Sequence, residues 1–184
     1  MKRKMKKRIL NLGCGNNDYG TDFVDISKVS KKVIVCNISK EKLPYADNTF
    51  DEVYSSFVFE HLPNPQFALI EMYRVLKKGG KIEIHTNNAG WIFYHNCKSR
   101  SMTHYGGYEK RIEGACSGND DKHFALYTFY HLKCHLKDVG FKKIKTKLYR
   151  RDKWWWGISL VDWLLEHSRF KWASYPQIKA EGIK

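Results

Sequence analysis

The sequence predicts an α/β fold, a three-layer sandwich around a mostly parallel sheet, and three observations predict it. The apolar run Ile9, Leu10, Leu12 breaks off at Gly13-Cys14-Gly15, and the next apolar pair, Phe23-Val24, ends in Asp25. A helical pattern from Asn64 onward then lies between two stretches of strand character. A buried strand that stops at glycines lets backbone amides approach a ligand, and an acid at the tip of the next strand can take both hydroxyls of a ribose. Together they point to a nucleoside site at the carboxyl edge of the sheet. A pyrophosphate site is disfavoured, because Asp18 replaces the third glycine of the dinucleotide fingerprint and no Gly-Lys-Ser/Thr follows.

Ile9 to Leu12 reads as the first strand and Phe23 to Ile26 as the second. Too few residues join them for a helical crossover, so the first helix is expected to shrink to a loop or a single turn. Val33 to Cys36 is a continuous apolar run, expected as a third, buried strand. Phe50 to Ser55 alternates as a fourth strand would, after the turn-like Asp47-Asn48. Asn64 and Pro65 supply an N-cap and a first-turn proline, and Ala68, Leu69, Met72, Val75 and Leu76 mark one helical face. Gly79-Gly80 is expected to end that helix, and Lys81 to His85 alternates as the fifth strand, arriving at Thr86-Asn87-Asn88.

From Ala89 to His123 the periodicity fails while aromatics, histidines and glycines crowd together, so residues 89–123 read as a substrate-side insert or lid. Thr128 is expected to cap a helix with Phe129, Leu132, Leu136 and Val139 inward, closed by Gly140, with Phe141 to Tyr149 as a sixth strand. Residues 154–184 form an aromatic extension, in which Trp154 to Arg169 presents a wide apolar face and a narrow polar stripe. Such an amphipathic helix packs on the domain, on a second copy, or on a membrane surface. No seventh strand is evident.

A chain of 184 residues with 42% hydrophobic content is long enough for one well-cored domain and too short for two with a linker. No stretch is long and apolar enough to span a bilayer, and MKRKMKKR lacks a following apolar segment. An odd number of cysteines, 5, without a CxxC pair argues against a disulfide framework. The expected location is the cytoplasm, with peripheral membrane contact as the second expectation. The net charge of +14 would attract a polyanion. Much of it sits in a basic tail over residues 1–8 and from Lys142 through Lys153, where the alternatives are a solvated, lysine-lined strand and a polyanion-facing surface.

The runs LNLGCG, FVDI, LPYADNTFDEVYSSFVFEHL and LIEMYRVLKKGGKIEI resemble, in that order, the class I S-adenosylmethionine-dependent methyltransferases, over about Ile9 to Asn88. The resemblance implies a Rossmann-like sheet and S-adenosylmethionine as cofactor. Carried onto this chain, it implies that Gly13, Cys14 and Gly15 line the methionine end and that Asp25 takes the ribose hydroxyls. Asn37 stands where the family commonly has an acid for the adenine amino group, and its amide can both accept and donate. Ile38 would pack on the adenine face and Ser55 would sit beside the methionine. Asn11 stands where many relatives have an acid near the ammonium.

Methyl transfer from a sulfonium is an in-line displacement whose barrier falls largely through alignment. A base is needed only where the nucleophile keeps a proton, and the candidates are His61, His85 and His123. His131, Cys134 and His135 share a helical face, and His95, Cys97, His104 and Cys116 sit nearby in sequence, but none has a standard zinc spacing and no metal is expected. The expected acceptor is an O or N nucleophile of a small molecule, a sugar or a glycolipid. The positive charge also suits RNA, and a non-catalytic protein that keeps the nucleoside pocket is the rival reading.

Overall fold

The computed structural model describes residues 7–90, 125–149, 175 and 177–184. Most of the expected basic tail, most of the expected insert with His95, Cys97, His104, Cys116 and His123, and the expected aromatic helix over 154–169 lie outside the described residues.

The strands are β1 (Ile9–Leu12), β2 (Asp22–Asp25), β3 (Val33–Val35), β4 (Phe50–Ser56), β5 (Leu76–Asn87), β6 (Lys142–Tyr149) and β7 (Gln177–Ile183). They form one sheet in the order β3-β2-β1-β4-β5-β7-β6. Strands β1 to β5 run parallel, and β7 lies antiparallel to both of its neighbours. The described α-helices are α1 (Pro65–Val75) and α2 (Phe129–Val139). Both pack on one face of the sheet and share a core built from Leu10, Leu12, Val53, Ile82, Ile84, Leu69, Met72, Leu132 and Leu136.

Capping follows the sequence. Asn64 Oδ1 accepts from Phe67 N at 3.2 Å ahead of Pro65, and Thr128 Oγ1 accepts from His131 N at 3.2 Å. Gly140 closes α2 in the left-handed region at φ 108°, where a side chain would be strained. The first crossover is a loop without a helix, as expected, held by Thr21 N donating to Ile9 O at 2.8 Å.

Four expectations are corrected, the first being Phe129, expected inward on α2 but 42% exposed. A seventh strand exists: Ile178 and Ala180 are buried on the core face, while Lys179 and Glu181 alternate onto the other. Helix α1 ends at Val75 rather than at Gly79-Gly80, because Leu76 is already extended and pairs with Phe50. Gly79 and Gly80 instead lie in β5 and exchange backbone hydrogen bonds with Lys184 at 2.9 and 3.0 Å. The third strand is not buried along its length, since β3 is the sheet's edge and leaves Ile34 40% and Val35 52% exposed.

A buried ion pair fastens the β3–β4 connection to α1. The Arg74 guanidinium donates to both oxygens of Glu71 at 2.9 and 2.7 Å, and also to Leu43 O, Tyr45 O and Asp47 Oδ1. Glu71 in turn accepts from Leu43 N at 2.9 Å. The guanidinium, more than any other group, holds the Glu71 carboxyl below its ordinary range. Replacing Arg74 by alanine leaves that carboxylate buried and uncompensated, and should cost about 3 kcal/mol in urea unfolding. A depressed carboxyl stabilises the fold above its unfolded-state range and loses that contribution as the pH falls through and below it. Acid unfolding of the wild type should therefore steepen there, and Glu71→Gln should flatten that part of the profile.

Candidate functional site

The carboxyl edge of β1, β2 and β3 is tied together by backbone groups and one carboxylate. After Leu12 the chain turns through Gly13 at φ 69°, and the amides of Gly13 and Cys14 both donate to Val24 O, at 2.8 and 3.2 Å. A Cβ on Gly13 would lie 2.1 Å from Val58 Cγ2, so no side chain fits there. A Cβ on Gly15, at φ 48°, would meet no protein atom. Asp25 Oδ2 accepts from Gly15 N at 2.8 Å, Oδ1 accepts from Ser27 N at 3.0 Å, and the Asp25 carbonyl accepts from Cys36 N at 2.9 Å. Each carboxylate oxygen keeps a further lone pair for a ligand hydroxyl.

Above this edge lies a cavity of about 680 Å³ lined by Gly13, Gly15, Asp25, Asn37, Ile38 and His61, with Phe57, Val58 and Leu62 among its apolar walls. These residues come from the ends of β1, β2, β3 and β4, where an open α/β sheet places its ligands. Asn37 Oδ1 accepts from Ser39 N at 3.1 Å, which fixes the amide's orientation. Its Nδ2 and the second Oδ1 lone pair are left for a ligand.

Of the other expected residues, Asn11, Cys14, Ser55 and His85 do not line this cavity. Asn11 is buried beneath the loop, donating from Nδ2 to Asn17 O at 3.2 Å, because strand alternation turns it away from Leu10 and Leu12. Cys14 lines a second cavity of about 420 Å³ on the other side of the loop, with Phe23, Lys31 and Lys32. Burial, and then the Asp25 carboxylate, push its thiol up, so it stays protonated at neutral pH. Ser55 is fully buried at the end of β4, and its Oγ has no hydrogen-bond partner among the described residues. His85 is buried on the far face of β5, 2.8 Å from Glu83 Oε1 and beside the Tyr54 ring. His123 is outside the described residues.

Sequence reasoning missed two features. Phe57 takes a positive φ of 57°, which a bulky side chain rarely adopts, and is held there by its amide donating to His85 O at 2.9 Å. Glu60 is buried, and its carboxylate accepts from Thr86 Oγ1 at 2.7 Å and Asn87 Nδ2 at 3.3 Å. It thereby pins the short 3₁₀ turn that carries His61 (Phe59–His61) to the end of β5. Its charge contributes, after burial, to pushing the Tyr127 hydroxyl up to about 12. The signal available was an acid beside His61 directly after a strand.

The site fits the nucleoside of S-adenosylmethionine. A two-oxygen acceptor stands at the tip of β2, an amide at the tip of β3, and open space at Gly15 where a ligand approaches backbone. Comparison with known proteins agrees. Residues 16–84 match a family model described as a methyltransferase domain. The chain is 30% identical over 169 residues to cycloartenol-C-24-methyltransferase 1 of Oryza sativa subsp. japonica, covering 89% of this chain and 44% of that one. It is 29% identical over 102 residues to the ubiquinone/menaquinone biosynthesis C-methyltransferase UbiE of Haemophilus ducreyi, covering 41% of this chain and 39% of that one. The chain thus spans less than half the length of these curated relatives. Among solved structures, a Thermotoga maritima methyltransferase described as a possible histamine N-methyltransferase superposes with TM-score 0.67 at 16% identity, over 97% of this chain and 82% of that one. An S-adenosylmethionine-dependent methyltransferase from Archaeoglobus fulgidus superposes with TM-score 0.64 at 17% identity, over 98% and 87%. Loop geometry, sheet order and domain match converge: residues 16–84 carry the methyltransferase-domain pattern, on the fold of the S-adenosylmethionine-dependent methyltransferases.

Proposed function

We propose that this chain transfers the methyl group of S-adenosylmethionine to an oxygen or nitrogen of a small, lipid-borne acceptor, such as a glycolipid. The observation that carries the reading is the convergence of Asp25, Asn37, Gly15 and His61 on one cavity. The cofactor supplies an electrophilic methyl carbon on a sulfonium. As the acceptor's lone pair forms the new bond to carbon, the carbon–sulfur bond breaks with its electron pair on sulfur. The chain's own contribution is binding, alignment and proton removal. Asp25 holds the ribose, Asn37 meets the adenine edge, and the apolar walls at Val58 and Leu62 exclude water. His61 takes the proton that a hydroxyl or ammonium acceptor must lose, as a neutral imidazole can near pH 7.

A carbon acceptor is the second reading. It is favoured by the two C-methyltransferases among the relatives, one named for a sterol and one for quinones. Both readings place the acceptor in a lipid. Incubation with methyl-labelled cofactor and separated cell fractions tests this: label should enter the solvent-extractable lipid fraction. Label confined to RNA or protein overturns the acceptor class, and no heat on titration with S-adenosylmethionine or its demethylated product overturns the enzyme. His61→Asn should lower kcat by about 10²-fold or more, with cofactor affinity unchanged.

The two glycines should separate folding from binding. Gly13→Ala drives a methyl into Val58 and should lower the melting temperature sharply. Gly15→Ala meets no protein atom, so it should cost only about 1–2 kcal/mol of left-handed strain while weakening cofactor binding in calorimetry.

Asp25 and Asn37 should differ in the same titration. Asp25→Ala should weaken binding by about 1.5–3 kcal/mol per charged hydrogen bond, and less for an analogue lacking the ribose hydroxyls. Asn37→Ala should cost about 0.5–1.5 kcal/mol. Asn37→Asp should preserve binding where Oδ1 accepts from the adenine amino group and harm it where Nδ2 donates to a ring nitrogen.

A further inference from the structure

Among the described residues, the non-glycine residues with positive φ are Asn48, Phe57 and Lys143. Asn48 lies in a turn, where asparagine tolerates that conformation, and Lys143 lies at the register irregularity of β6. Phe57 is in neither situation: it follows β4 directly and is a bulky residue at φ 57°. Its neighbours hold it there from both sides. Its amide donates to His85 O at 2.9 Å, and the 3₁₀ turn after it is fixed by Glu60 accepting from Thr86 and Asn87 and by the Tyr127 hydroxyl donating to Phe59 O at 3.4 Å. A strained conformation secured by so many bonds marks a position where the placement of the side chain matters.

That placement is at the centre of the sheet's carboxyl edge. Leu12 pairs with Ser55, so the glycine loop and Phe57 leave β1 and β4 at nearly the same level, and Val58 lies against Gly13. The strand order reverses between β1 and β4, where a ligand lying along the edge passes from one half of the sheet to the other. With the ribose at Asp25 after β2 and the adenine at Asn37 after β3, the tail of S-adenosylmethionine runs the opposite way, toward β1 and β4. Phe57, half-buried, lines the cavity at this end.

The tail carries a fixed positive charge on sulfur. The carboxylate of Asp25 and the ammonium of Lys40 are the ionic groups in the lining, with the imidazole of His61. Asp25 ends a strand two places from β4, roughly 10 Å away at ordinary strand spacing, and both of its carboxylate oxygens already accept from amides. Lys40 has the same sign as the sulfonium. The face of an aromatic ring attracts an onium cation, and more strongly where water is excluded. Phe57 supplies the one carbocyclic ring among the lining residues. We propose that the Phe57 ring receives the sulfonium, so that the site distinguishes the charged cofactor from its spent, neutral thioether. Once the methyl group has left, the sulfur is uncharged and this attraction ends, which favours exchange of product for fresh cofactor. The inference rests on the S-adenosylmethionine reading above and needs no knowledge of the acceptor.

Calorimetric titration of the full chain with three ligands tests this: S-adenosylmethionine, its demethylated thioether product, and the analogue in which a carbon bearing an ammonium group replaces the sulfonium. Phe57→Leu keeps an apolar side chain and the same backbone strain, so the thioether should bind as it does to the wild type, which also reports an intact fold. Both cationic ligands should bind about five- to tenfold more weakly. Phe57→Tyr keeps the ring and should restore them. Pentafluorophenylalanine incorporated at position 57 keeps the ring's shape but reverses the charge of its face, and should weaken the two cations selectively even where Phe57→Leu fails to fold. An equal loss for all three ligands with the fluorinated ring overturns the proposal, because the ring is then only a wall of the pocket. A loss for S-adenosylmethionine without one for the ammonium analogue also overturns it, because the contact is then to the methyl group and not to the charge. Unchanged affinities throughout do the same and leave the cofactor reading standing, whereas a wild type that binds none of the three ends both.

Discussion

Asp25 is the residue on which the carboxyl edge of this sheet depends. Its two carboxylate oxygens and its carbonyl accept from the amides of Gly15, Ser27 and Cys36, so one side chain and one peptide unit join three strand ends. In a fold of this class the first crossover helix would ordinarily brace the glycine loop from behind. Here the connection has no helix, and the loop is braced by Val24 O and Asp25 from the neighbouring strand and by Val58 from the next connection. Such a loop is shaped mainly by backbone hydrogen bonds, which are insensitive to side-chain identity elsewhere. That explains how the loop keeps its shape with no helix behind it.

Much of this edge was legible because its physics is local. A strand broken by glycine, an acid at the next strand tip and a proline-opened helix are written in consecutive residues, and each was found where expected. The misses are cases in which a distant partner decided the outcome. Leu76 leaves the helix because Phe50 pairs with it, a fact absent from the helical periodicity. Val35 looks buried by composition, yet edge position exposes it. Strand β7 is written in Ile178, Ala180 and Gly182, two of them too small to register as an apolar pattern. Glu60 and Phe57 depend on Thr86, Asn87 and His85 across the sheet, so neither could be read from its neighbours.

The two faces of the sheet obey different rules. One is continuous with the helices and lined mainly by apolar side chains. The other carries a row in which Asn11, Tyr54, Glu83, Glu181 and Lys145 stand side by side across β1, β4, β5, β7 and β6. Glu83 and Glu181 are direct neighbours and would repel, but Lys179 lies 2.8 Å from one and 3.1 Å from the other, and Lys81 lies 2.9 Å from Glu181. The hydrogen bond from His85, followed by those from Lys179 and Lys81, holds the Glu83 carboxyl far below its ordinary range. This face therefore specifies register through charge where the other specifies it through volume, and slipping β7 by one residue would break both at once.

Strand β7 follows β6 in the chain yet lies inside it in the sheet. Until β7 is made, β5 has an open edge and β6 has no strand to join. As the chain leaves the ribosome, the parallel half with the candidate cofactor site can assemble early, while β6 must wait on α2 until the segment that inserts beside it arrives. The assembly step is thus closer to closing a gap than to adding a strand at a margin. The sequence separation between β6 and β7 sets a chain-closure cost that must be met before any hydrogen bond of β7 is gained.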